Sequence, residues 1–598
     1  MSLRALLEMR QALPLSFSAD GSALLVASNV PGTQQLHVVP SRGGELRRLT
    51  AFDEPVVGQF LPSGRILLEA DEHGNERTQL YLLDGEPGAT PEPLVVDPRF
   101  KHETPRVSRD GTLLAYATNR RNGVDFDIVA RTLPGGEERS FELGGLCSVD
   151  SVSPDGRWIV VGRYGDRAGD SDLFVLGAAS GEVVHATPHE DEAEWYSTVW
   201  LPDSSRFFAA TNEGRDTYAI VRYDLESRGW ETVVESRWDL ECAGDDAGRS
   251  LLVLANEDGY SRLELRDPQS GALREEVPLP GRGVVERPVF SRDGSLLAFA
   301  FSRPTEPHDV YVYDLDARTL SRLTTSPRDV DPATLVEPTL HRYESFDGES
   351  IPVFLFEPTG EGPFPVVVTV HGGPESQWRP WFAPSFAPLT QYLVSRGYAV
   401  AAPNVRGSTG YGKRYEHLDD VELRLDSVRD LASLHAWLGS RPEIDASRAV
   451  LYGRSYGGYM VLAGLAFQPE LWAAGIEAVG ISSLVTFLEN TSAYRRAARE
   501  REYGSLVRDR DFLVEASPAT HIDAIRAPLF VQHGRNDPRV PVGESEHIHR
   551  VLTEKGIRCD LLIFEDEGHM VAKLPNRIET FERAVAFLDE VLAPAWVR

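Results

Sequence analysis

Cysteine is almost missing from this chain. Cys147, Cys242 and Cys559 are the only three among 598 residues, and no CxxC pair occurs. Isolated thiols build neither a disulfide framework nor a zinc site. A reducing cytoplasm is therefore the expected location, and no metal or other cofactor is expected. Lysine is also scarce: only Lys101, Lys413, Lys555 and Lys573 occur among 61 basic residues. Acidic residues number 91, which leaves a formal charge of −30. A field of that sign repels nucleic acid and anionic membrane surfaces, so neither is an expected partner. Long apolar runs are absent as well. No stretch reaches the ~18 apolar residues of a membrane span. The first ten residues, Met1 to Arg10, carry charges where a signal peptide needs an unbroken apolar core.

What is present is an ordinary globular mix, 41% hydrophobic and 25% charged. At about 150 residues per domain the chain is too long for one core, and two large domains fit it.

The first half repeats. Polar turns recur at Asp20-Gly21, Ser63-Gly64, Asp110-Gly111, Asp155-Gly156, Asp203-Ser204, Asp246-Ala-Gly248 and Asp293-Gly294. Their last residues are spaced 43, 47, 45, 48, 44 and 46 apart. Each turn precedes an apolar run, such as Leu24–Ala27, Trp158–Val161 or Leu296–Phe299, and most are followed by a second run. Short strands with a period near 45 residues suit four-stranded propeller blades. Seven units predict a seven-bladed β-propeller over 13–330. A β-sandwich would not need seven evenly spaced copies.

The second half, 331–598, alternates. Apolar runs at 366–370, 399–403, 449–452, 528–532 and 559–564 are separated by helical stretches at 423–438, 459–466, 545–555 and 578–592. Strand–helix alternation predicts a parallel sheet covered on both faces, of the α/β-hydrolase kind.

Gly453-Arg-Ser455-Tyr-Gly457 follows one of these strands and opens a helix. A G-x-S-x-G at such a point lifts a serine hydroxyl above the sheet on a tight elbow. Serine needs a base to act as nucleophile. On this fold the chain order is serine, then acid, then histidine, on loops after later strands. Asp537 and His569 satisfy that order. Glu565, Asp566 and Glu567 are alternative acids, and His533 and His549 alternative bases. His371-Gly-Gly373-Pro374 follows the early strand and resembles an oxyanion-hole loop. The expected donors are the backbone N–H groups of Gly373 and Tyr456, since Pro374 has none to give.

These motifs resemble the prolyl oligopeptidase family of serine peptidases. The resemblance is carried by His371-Gly-Gly-Pro374, Asn404-Val-Arg-Gly-Ser-Thr-Gly-Tyr-Gly412, Gly453 to Tyr459, Asn536-Asp-Pro-Arg-Val-Pro541 and Gly568-His569. It covers nearly the whole chain and looks most like the acylaminoacyl-peptidase branch (acylpeptide hydrolases). It implies a short-peptide substrate and a catalytic set of Ser455, Asp537 and His569. It also implies a helix over 1–12 docked on the hydrolase, with Leu3, Leu6, Leu7 and Leu13 as its apolar face. A homo-oligomer is compatible with the sequence.

Specificity is less legible. Between nucleophile and acid, Phe487 and Tyr494 are candidate walls of an S1 pocket. Arg495, Arg496 and Arg539 are candidate substrate-binding residues, and Arg499 and Arg501 share the same arginine-rich stretch. A two-pronged arginine contact with a peptide carboxylate would favour a serine carboxypeptidase. Glu190, Glu192 and Glu194 read as a solvated acidic loop, with no clear pair of glutamates for a free amine. The expected function is a serine peptidase that releases N-acylated residues from short peptides. Alternatives are a carboxypeptidase or oligopeptidase of the same family, a carboxylesterase, and an inactive propeller-based interaction protein.

Overall fold

The computed structural model describes residues 1–592. Residues 593–598, the end of the expected second domain, lie outside the described residues. Seven four-stranded antiparallel sheets, each made of four consecutive strands, run from Ala12–Phe17 to Thr319–Arg322. This is a seven-bladed β-propeller. The recurring turns join the first two strands of each blade. Their last residues, six glycines and Ser204, all have φ between 57° and 83°. Glycine adopts that backbone without a Cβ clash. Ser18 donates to Asp20 across the first turn at 2.6 Å, and Ser108–Asp110 and Ser291–Asp293 repeat the bond at the same length.

No strand is exchanged between the first and last blades. Side chains close the ring instead. Ala12, Phe17, Leu24 and Val26 pack on Leu296, Ala298, Val310 and Val312, and Arg42 pairs with Asp314 at 2.7 Å.

The second half forms one sheet of eight strands. They are β1 Thr339–Glu344, β2 Ser350–Phe356, β3 Phe364–Val370, β4 Ala399–Pro403, β5 Ile444–Arg454, β6 Ala474–Ala478, β7 Leu529–Gly534 and β8 Cys559–Phe564. The spatial order is 1-2-4-3-5-6-7-8. Strands β3 to β8 run parallel. That is the α/β-hydrolase sheet. The sequence pattern passes over β6, because Ala474-Gly-Ile-Glu-Ala478 breaks its apolar run with a glutamate.

The sheet has a separate core on each face. One cluster centres on the helix following β5, Tyr456–Phe467. The other involves an N-terminal helix, Leu3–Leu7, packed beside Ala387–Ser395 and Leu574–Leu592. Leu6 and Leu7 are fully buried and Leu3 nearly so. Leu13 is not on that helix. It belongs to the first propeller strand and packs on Ala27 and Ala300. All three cysteines are free and buried. Among the described residues no helix is long and apolar enough to cross a membrane.

Candidate active site

Parallel strands present their C-terminal ends on one edge, and loops from that edge carry the chemistry of open α/β sheets. Three such loops matter here. Ser455 follows β5, Asp537 follows β7 and His569 follows β8.

Ser455 sits at φ 59°, ψ −118°, a conformation that a non-glycine residue rarely adopts. Its own N–H donates to Ala478 O at 2.9 Å. The glycines around it are required by contact. A Cβ on Gly453 would lie 2.2 Å from Gly457 O, and one on Gly457 would lie 2.2 Å from Val370 O.

His569 Nδ1 lies 2.7 Å from Asp537 Oδ2. Asp537 Oδ1 accepts from the N–H groups of Arg539 and Val540 at 2.8 and 3.1 Å. Burial would raise the Asp537 pKa, but His569 and His533 outweigh it and hold the carboxyl well below its usual range. Burial lowers the His569 pKa, and Asp537 offsets only part of that. Of the alternative bases, His533 is buried between Ser545 Oγ and Val540 O, and His549 faces Cys559 O. Of the alternative acids, Glu565 pairs with Arg535 and Asp566 with Lys573. Glu567 accepts the N–H groups of Ala572 and Lys573.

The loop after β3 lies over Ser455. A Cβ on Gly372 would be 3.4 Å from that of Ser455. Gly373 has φ +134°, and a Cβ there would meet Glu375 N at 2.7 Å. His371 is buried, with Nδ1 2.9 Å from Gly372 O and Nε2 2.9 Å from Ser408 Oγ. It braces the loop.

Tyr456 begins the helix after Ser455, and its side chain runs into a buried ionic network. The hydroxyl is 2.8 Å from Ser427 Oγ and donates to Asp419 at 2.9 Å. Asp419 and Glu502 both pair with Arg424, and all three are buried. Burial raises the Asp419 carboxyl to about 7 despite Arg424. The sequence pattern gave no sign of this brace, because its members come from separate elements.

Phe487 is not a pocket wall. It is buried in the hydrolase core, edge-on to Tyr503. Arg496 is not free for substrate, since it donates to Leu488 O and Glu489 O at the end of the helix Leu484–Asn490. Arg539 pairs with Glu76 of the propeller at 2.5 Å. Arg495 is half-buried, and its desolvation, with the nearby Arg539 and Arg499, lowers its pKa. Tyr494 reaches the propeller, edge-on to Phe126 and under Lys101, and lines a cavity with Asp537 and Pro538.

Another cavity, about 450 Å³, opens beyond the Gly373 loop between propeller and hydrolase. Seven carboxylate residues line it against four arginines. Arg499 pairs with Glu375 there at 3.2 Å. Glu194, expected on a solvated loop, is one of the lining residues, and its carboxylate accepts from Tyr218. Glu190 is exposed. Glu416, from the hydrolase, has no hydrogen bond or ion pair to its carboxylate among the described residues. Burial raises both pKa values, and Glu194 raises that of Glu416 further. These two glutamates are 222 positions apart in sequence, so no local motif marks them as a pair.

Comparison with known proteins adds to this geometry. Residues 384–595 match the model described as the prolyl oligopeptidase family. Residues 147–326 match that of the prolyl oligopeptidase N-terminal β-propeller domain. Dipeptidyl aminopeptidase BIII of Pseudoxanthomonas mexicana is 28% identical over 94% of this chain and 84% of its own. Dipeptidyl-peptidase 5 of Porphyromonas gingivalis is 21% identical over 86% of this chain and 69% of its own. A solved puromycin-hydrolyzing peptidase of Mycobacterium tuberculosis superposes with a TM-score of 0.84 at 22% identity. That match covers 99% of this chain and 96% of the other, and at such identity it speaks for the fold.

Proposed function

This chain belongs to the prolyl oligopeptidase family of serine peptidases, and from that premise we propose that it cleaves short peptides with a free N-terminal amine, releasing dipeptides. The observation that carries this reading is the pair Glu194 and Glu416 in the cavity beyond the Gly373 loop. Two half-buried carboxylates, neither with an ion pair among the described residues, favour an ammonium ion. The names of the two relatives point the same way.

Ser455 Oγ attacks the scissile carbonyl carbon and gives its proton to His569 Nε2. Asp537 accepts from His569 Nδ1–H and stabilises the imidazolium. The developing oxyanion meets the N–H groups of Tyr456 and Gly373. Each such donor is worth roughly 10²–10³ in rate. The C–N bond breaks as His569 returns the proton to the leaving amine. Water then attacks the acyl-enzyme by the same steps and frees Ser455.

Release of N-acylated residues, the branch that the sequence motifs resemble most, is the less supported reading. It would set a neutral acyl group against Glu194 and Glu416. The test is the ratio of kcat/KM for a dipeptidyl anilide to that for its N-acetylated form. The wild type favours the free amine, and Glu194→Gln and Glu416→Gln each reduce the ratio about tenfold or more. A wild type that prefers the acetylated form would overturn the proposal.

A further inference from the structure

A second interdomain cavity lies on the other side of the site. Its volume is about 420 Å³, and its wall is largely apolar, with Tyr452, Ile476, Phe530, Met570, Phe581 and Ala584. What sets it apart in a chain of charge −30 is its polar content. Arg454, the residue before the nucleophile, lines it. Among the described residues its guanidinium has no ion pair and no hydrogen bond, and Nη2 is buried without a partner. Arg577 also lines it and has a single acceptor, Pro384 O at 2.9 Å. Gln532, 4% exposed, adds an amide nitrogen with no partner.

No lining carboxylate answers these donors. Glu477 is the one acidic residue in the wall, and its oxygens are engaged by Gly480 N and Ser545 Oγ. Burial without a counter-ion is what lowers the pKa of Arg454 and Arg577 to about 10. An unpaired buried charge is costly, so such a site favours an incoming anion. The apolar wall asks that the anion carry an apolar body.

Position decides which anion. Met570, next to His569, lines this cavity, and Gln34, Pro55, Met570 and Ala572 also line the smaller cavity that contains His569. The two spaces therefore share a wall on the histidine side. That is the side from which the leaving amine takes its proton. The acidic cavity lies past the oxyanion loop, on the acyl side.

We propose that the cavity lined by Arg454, Arg577 and Gln532 is the leaving-group subsite, and that it binds the C-terminal carboxylate and apolar last side chain of a short peptide. This rests on the peptidase reading above. Substrates are then held at both ends by opposite charges, the amine at Glu194 and Glu416 and the carboxylate at Arg454. Folded proteins and C-terminally amidated peptides lose the second contact.

The experiment compares three substrates with the same N-terminal dipeptide: one extended by leucine with a free carboxylate, the same peptide as its amide, and the p-nitroanilide. The wild type prefers the acid to the amide by about tenfold or more in kcat/KM. Arg454→Met and Arg577→Met bring that ratio toward one. The anilide carries no carboxylate and serves as the reference for any general loss in a variant. Competition assays on the wild type need no variant: 4-phenylbutyrate inhibits anilide cleavage and 4-phenylbutyramide does not. Equal use of acid and amide by a wild type that cleaves the anilide would overturn the subsite and leave the peptidase reading standing. So would an acid preference that survives both substitutions. No cleavage of the anilide would overturn the peptidase reading instead.

Discussion

Gly74 of the propeller and Gly568 of the hydrolase meet backbone to backbone, one residue before His569. A Cβ on Gly74 would lie 2.6 Å from Gly568 N, and a Cβ on Gly568 would lie 2.0 Å from Gly74 O. Gly74 also has φ +70°, which side chains resist. Two ion pairs flank the contact, Arg539–Glu76 at 2.5 Å and Lys573–Glu54 at 3.1 Å. The propeller thus packs directly on the loop that carries His569.

Gly74→Val should therefore lower kcat although Gly74 touches no reacting atom. A displacement of ~1 Å at the histidine is enough for a loss of about 10²-fold. Steady-state kinetics together with a melting curve test this. An unchanged kcat in a variant that melts normally would mean that the contact plays no part in positioning His569.

The pH profile follows from burial of His569. In the proposed mechanism only a neutral imidazole takes the Ser455 proton. Its pKa lies below the ordinary value of about 6.5, so the acid limb of kcat/KM falls below that pH. Activity is at its plateau above it. A limb centred clearly above pH ~7 would contradict the burial of the ring.

Arg424 is the keystone of the network beneath Tyr456. Arg424→Met leaves Asp419 and Glu502 buried without their cation. Breaking a buried pair in this way costs about 3–5 kcal/mol. Denaturant unfolding should show an earlier hydrolase transition, and kcat should fall because the Tyr456 N–H loses its support. A transition unmoved within ~0.5 kcal/mol would show that the network is dispensable.

The N-terminal helix carries its own test. Leu6 is fully buried against Met9, Val330, Leu335 and Phe382, and Leu7 in the hydrolase core cluster that this helix joins. Leu6→Ala should destabilise by about 2–5 kcal/mol. A change below ~0.5 kcal/mol would mean that the helix frays in solution.

Both halves of the fold are legible in the sequence for physical reasons that are local. A turn that needs positive φ returns at every blade, and Asp20, Asp110 and Asp293 each bond a hydroxyl two residues earlier. The Ser455 elbow is legible because its glycines are forced by contacts with nearby backbone. The residues proposed to recognise substrate are not local to one another in sequence. Glu194 and Glu416 come from different domains, as do Tyr494 and its neighbour Phe126. Arg454 looks like part of the nucleophile motif until the cavity beside it is seen. Phe487 has the composition of a pocket wall and the burial of a core residue. Alternation of strands and helices cannot separate those two fates.

The measurement that tests the account most directly is a substrate panel on the purified protein, with Ser455→Ala as the blank. It holds a dipeptidyl anilide with a free amine, its N-acetyl form, an N-blocked peptide with a free C-terminus, and a p-nitrophenyl ester. The predicted result is fastest cleavage of the free-amine anilide, lost by a factor on the order of 10⁴ or more in Ser455→Ala. Cleavage of the ester alone, or a Ser455→Ala variant as active as the wild type, would contradict it.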